Sequence, residues 1–100
     1  MVKRPTPART RLAARSIGEN LQTWRRLRGI TAQELADKAS VSRATISRLE
    51  NGDPSVAMAT FLTVCTALGV LDGVVKATDP FETDYGRLRA DQEIPQRVRN

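Results

Sequence analysis

Apolar positions recur at helical spacing through most of the chain and change phase at turn residues, which predicts a series of short helices. Ser16, with Glu19 three residues on, forms a capping box, and Ile17, Leu21, Trp24 and Leu27 continue it as a stripe to about Arg28. Gly29 stops that helix, and Ile30 tucks into the turn. Thr31 and Glu34 form a second box: the hydroxyl accepts a free backbone N–H and the carboxylate reaches back. Ala32, Leu35, Ala36 and Ala39 then share one face. The pattern breaks at Ser40-Val41-Ser42, where Ser42 is an N-cap for a third helix with Ile46 and Leu49 inward and Gly52 as its stop. A loop at Asp53-Pro54-Ser55 leads to a fourth helix from about Ala57 to Leu68, with Met58, Phe61, Leu62, Cys65 and Leu68 inward and Gly69 after it. Val70 to Ala77 makes a short fifth helix carrying apolar Val70, Val74 and Val75, and Asp79-Pro80 ends the folded pattern.

The third segment has an unusual outer side. At about 100° per residue, Ala44, Ser47, Arg48 and Asn51 lie opposite Ile46 and Leu49, and Arg43 and Thr45 flank them near the first turn. The face is small at its centre and basic at its edges, a shape suited to a DNA major groove. An ordinary solvated helix face is the competing reading of exposed arginines.

Composition favours packed helices, an all-α fold, over a sandwich or barrel. Only 4% of residues are aromatic, so Ala, Leu and Val must fill the core. Sixteen Lys and Arg against eleven Asp and Glu give +5. Their placement says more: residues 1–16 hold Lys3, Arg4, Arg9, Arg11 and Arg15 and no acid, whereas the rest is nearly balanced. Arginine's planar fork suits phosphates and guanine edges, so the excess points to a polyanion, with a solubilising tail as the alternative. Three segments are expected: a flexible basic arm over 1–15, with helix towards Leu12 as an alternative, a helix-turn-helix domain over 16–78, and an extended charged tail over 79–100.

Catalytic chemistry has little to stand on. There is no histidine, no metal-ligand cluster and no glycine-rich phosphate loop, so an enzyme is not expected and neither is a cofactor. Cys65 sits in an apolar pattern without a base and reads as a buried small hydrophobe. No apolar run approaches the ~20 residues of a membrane helix, and no apolar stretch follows the basic arm as in a secretory signal. A cytoplasmic protein is expected.

The stretches IGENLQTWRRLRGITAQELADKASVSRATISRLENG and TFLTVCTALGV resemble the Cro/C1-type (XRE) helix-turn-helix family of bacterial and phage regulators. The spacing of Leu35, Ala36, Val41, Ile46, Leu49, Glu50, Asn51 and Gly52 makes the resemblance specific. It implies a compact five-helix bundle, a lambda-repressor-like domain whose third helix enters the major groove, bound as a homodimer to a palindromic double-stranded operator. It implies association with the bacterial nucleoid. Carried over by position, Arg43, Ala44, Thr45 and Arg48 are the recognition residues, with Ser42 and Ser47 beside them and Asn51 at a position that holds the DNA backbone. The family often places Gln directly after the Thr-type cap as a phosphate clamp. Here that position is Ala32, and Gln33 stands about 100° further round, where phosphate contact depends on its reach. The resemblance also implies a partly buried Arg25–Glu50 ion pair joining helices one and three.

The remaining charges divide by position. Arg26, Arg28 and Lys38 read as surface charges near the DNA-facing edge, and Trp24 as core. The arm admits disorder, loose phosphate contact or minor-groove insertion, of which loose phosphate contact is preferred. The tail offers Phe81, Tyr85, Leu88, Ile94 and Val98 as spaced apolar points. Its plain reading is a disordered charged segment. A second resemblance, to HipB-type antitoxins, implies instead a segment that contacts a kinase toxin, with DNA binding serving autoregulation.

Overall fold

The structure, a computed structural model, describes residues 4–90. These form six α-helices and one 3-10 turn, with no strand among the described residues: α1 Ala8–Leu27, α2 Ala32–Ala39, α3 Arg43–Glu50, α4 Met58–Leu68, α5 Leu71–Ala77, the 3-10 turn Pro80–Glu82, and α6 Asp84–Leu88. The helices α1 to α4 enclose one core of Leu21, Leu35, Ala36, Ala39, Ile46, Leu49, Val64, Cys65 and Leu68. Leu35, Ile46, Val64 and Cys65 are fully buried. Each side chain as large as Leu or Ile contributes about 1.5–3 kcal/mol by leaving water. Burial pushes the Cys65 thiol above its ordinary value, which suits an inert core residue.

The ends of the two central helices form as their sequence signals predict. The Thr31 hydroxyl accepts from the Glu34 N–H at 3.0 Å, and the Glu34 carboxylate accepts from the Thr31 N–H at 3.1 Å. Ser40 closes α2 in the left-handed conformation, at φ 56°. The Ser42 hydroxyl then accepts from the Thr45 N–H at 3.1 Å and opens α3. Three residues, Ser40, Val41 and Ser42, thus turn the chain between helices whose inner faces share Leu35, Ala36, Ile46 and Leu49.

Helix α1 departs from expectation. It begins at Ala8, so Ser16 lies inside it and the Ser16–Glu19 box is not its start. The inner stripe is Gly18 and Leu21, while Ile17 is 42% exposed, Trp24 41% exposed, and Leu27 more exposed still. The physical reason is a close crossing. Gly18 packs so near the end of α3 that a Cβ there would lie 2.6 Å from the Leu49 carbonyl oxygen and 2.7 Å from that of Glu50. That approach fixes which side of α1 faces inward and rolls Ile17 and Trp24 to its margin. Trp24 is covered instead by the Arg28 guanidinium, 5.4 Å from the ring centroid.

Two other expectations are corrected. Met58, at the first position of α4, is exposed, and Val64 takes the inner place beside Cys65 and Leu68. The helical pattern does not end at Asp79-Pro80. The Asp79 carboxylate accepts from the Phe81 N–H at 2.9 Å, and Thr83 caps α6 through the Gly86 N–H at 3.0 Å. Ile94 and Val98, and residues 1–3 with Lys3, lie outside the described residues. No described helix is long and apolar enough to cross a membrane.

Candidate nucleic-acid interface

Every residue of the predicted recognition face remains reachable by solvent. Ser42, Arg43, Ala44, Ser47, Arg48 and Asn51 are exposed and Thr45 is half-buried, while Ile46, Leu49 and Glu50 point into the protein. Alternation at helical spacing therefore separates a core side from a wet side within eight residues. Ser42 and Thr45 share a hydroxyl–hydroxyl bond of 2.8 Å, so the N-cap is tied into the first turn. Asn51 closes the helix, its amide donating to the Ser47 hydroxyl at 3.4 Å.

The two arginines differ in a way the sequence did not show. Arg43 is exposed, and among the described residues no carboxylate pairs with it. Arg48 is held: its Nε donates to Asp53 Oδ2 at 2.8 Å and its Nη2 to the Ser55 hydroxyl at 3.1 Å. The Ser55 N–H and hydroxyl donate in turn to Asp53 Oδ1 at 2.8 and 2.6 Å. The Ser55 hydroxyl and then Arg48 hold the Asp53 carboxyl well below the usual carboxylate range. Arg48 thus braces the loop after α3 with two of its five N–H donors, leaving three for another partner. Asp53 and Ser55 were missed because a loop Asp-Pro-Ser carries a turn signal and no sign of which helix it will meet.

Behind the face lies the ion pair. Arg25 Nε meets Glu50 Oε2 at 2.7 Å and Nη2 meets Oε1 at 3.1 Å, a two-pronged arrangement with side chains only 12% and 7% exposed. Arg25 Nη1 donates to the Ile30 carbonyl at 3.0 Å, and the Gln22 amide donates to Glu50 Oε1 at 3.4 Å. Hydrogen bonding to Glu50 raises the Arg25 guanidinium above its already high ordinary value, so the guanidinium stays charged. Through it α1 grips the last residue of α3 and sets the helix's angle. Gln22 is a partner missed in the sequence, although it lies one turn before Arg26 and three residues before Arg25.

Other residues fall elsewhere. Gln33 is exposed and its amide donates to Asp37 Oδ1 at 2.9 Å, along α2 rather than toward α3. Arg28 is not a free surface charge: its Nε donates to the Leu68 carbonyl at 3.1 Å, satisfying the end of α4. Among the described residues no group of His, Cys, Asp and Glu is arranged to hold a metal ion.

Two helices joined by a short turn, the second exposed along a basic side and anchored from behind, define a DNA-binding helix-turn-helix protein. The chain belongs to the helix-turn-helix domain family, whose model matches residues 16–78. No curated protein and no solved structure matches it significantly.

Proposed function

We propose that this protein is a sequence-specific transcriptional regulator, a repressor that binds a palindromic operator as a homodimer with α3 in the major groove. The single observation that supports this most is the unobstructed wet side of α3. It presents Arg43, Ala44, Thr45 and Ser47 on a helix held from behind by Arg25 and Glu50. Arg43 is free to meet O6 and N7 of a guanine, Thr45 carries a methyl for thymine, and Arg48 and Asn51 stand at the end nearest a phosphate strand. Residues 16–78 act as the DNA-binding unit. Selection of bound duplexes from random DNA is expected to return a two-fold symmetric site with half-sites about one helical turn apart. Recovery of no enriched sequence would remove the proposal.

The homodimer draws support from an apolar groove of about 410 Å³ between α1, α4 and α5, lined by Ile17, Trp24, Phe61, Val70 and Val74. A second reading, an antitoxin that sequesters a kinase toxin, is favoured by the segment after Asp79. Its Phe81, Tyr85 and Leu88 are all exposed although the segment is folded into helical turns. Co-purification with the product of an adjacent kinase-like gene, lost when residues 79–100 are deleted, would favour that reading over a free-standing regulator.

A further inference from the structure

The first two turns of α1 run beside the C-terminal end of α3. Helix α1 crosses the end of α3 at Gly18, and upstream it runs against the turn that follows α3. Gly52 in that turn adopts φ +80°, and a Cβ on it would sit 2.6 Å from Arg15 Cα and 2.9 Å from Arg15 N. Both glycines therefore bring the backbone of α1 onto the C-terminal end of the recognition helix. Between the two elements lies an open groove of about 470 Å³, whose walls include Arg11, Leu12, Arg15, Asn51 and Pro54.

Its charge is one-sided. Arg11 and Arg15 are four residues apart, so they share one face of α1 about 6 Å apart along its axis. Both are exposed, and among the described residues no carboxylate pairs with either. The first acid in the chain is Glu19. The groove is continuous with the wet side of α3 through Asn51, which lines one and closes the other.

We propose that Arg11 and Arg15, set on this rigid start of α1, form a second DNA contact that grips the phosphate backbone flanking the segment α3 reads. The inference rests on the DNA-binding reading above and deepens it. The basic N-terminal region is not a loose arm over these residues. It is a helical extension whose backbone is fixed against the end of the recognition helix, so its grip adds affinity and footprint without reading bases.

The test uses the full chain and a labelled duplex selected from random DNA. Equilibrium binding is measured against salt for the wild type, for Arg11→Ala with Arg15→Ala, and for Arg11→Lys with Arg15→Lys. Each phosphate neutralised contributes a slope of about 0.9, so the alanine pair is expected to flatten the plot of log affinity against log salt by about 1.8. The lysine pair is expected to restore it. Hydroxyl-radical footprints of the alanine pair should lose protection at the flanks and keep it at the centre, with the preferred sequence unchanged. A slope and footprint equal to the wild type's would overturn the proposal while leaving the regulator reading intact. A wild-type chain that binds no duplex at all would instead remove that reading.

Discussion

Arg25 and Glu50 carry opposite charges into a site that water barely reaches, and each satisfies the other with two hydrogen bonds. Removing one partner strands the other. Glu50→Ala is expected to cost about 3–5 kcal/mol in urea unfolding. Arg25→Met combined with Glu50→Leu should recover much of that, because no charge is then left buried. Arg43 and Arg48 separate reading from bracing. Arg43→Ala is expected to relax base preference at one operator position by about 1–3 kcal/mol without altering thermal unfolding, as a competition assay with single-base variants would show. Arg48→Ala should also loosen the loop that Asp53 and Ser55 complete. The Asp53 carboxyl is lowered in the folded protein, so whatever stability it confers is complete above the unfolded value of about 3.9. That contribution fades as pH falls below it. The difference in melting temperature between wild type and Asp53→Asn should therefore be flat from about pH 5 to 8 and shrink below about pH 4.

Helices α1 and α3 meet through backbone, which makes their crossing sensitive to single atoms. Gly18→Ala would ordinarily favour a helix by about 1 kcal/mol. Here the added methyl meets the Leu49 and Glu50 carbonyl oxygens at well under contact distance. Net destabilisation of about 1–3 kcal/mol is expected, with DNA affinity falling as α3 tilts, measured by calorimetry and anisotropy. The start of α1 has a local cause as well. Arg, Leu and Ala dominate residues 8–15 and are strong helix formers, and Pro7 fixes the boundary by keeping its predecessor out of the helical region. A capping box further along does not end or begin a helix when the residues before it already favour one.

The folded chain leaves two apolar features without cover among the described residues. One is the groove at Trp24, Phe61 and Val74, and the other is the string of Phe81, Tyr85 and Leu88. If the groove is the dimer surface, Val75→Asp beside it should shift the protein toward monomer in sedimentation. It should also weaken binding to a two-half-site duplex far more than to a single half-site. A monomeric wild type at micromolar concentration would refute the dimer.

The order of the helices, the caps at Thr31 and Ser42 and the two-sidedness of α3 were legible in the sequence, because each depends on residues within one or two turns of one another. So was the identity of Arg25 and Glu50 as partners, though only through family likeness, since they lie 25 positions apart. Which side of α1 faces inward, that its first two turns run beside Gly52, and that Arg48 is shared with Asp53 and Ser55 were decided by tertiary contact alone. Periodicity records that a helix has an inner side. The roll of that helix against its neighbour is set by how closely two backbones approach, and here glycines at 18 and 52 set it where no apolar pattern marks the place.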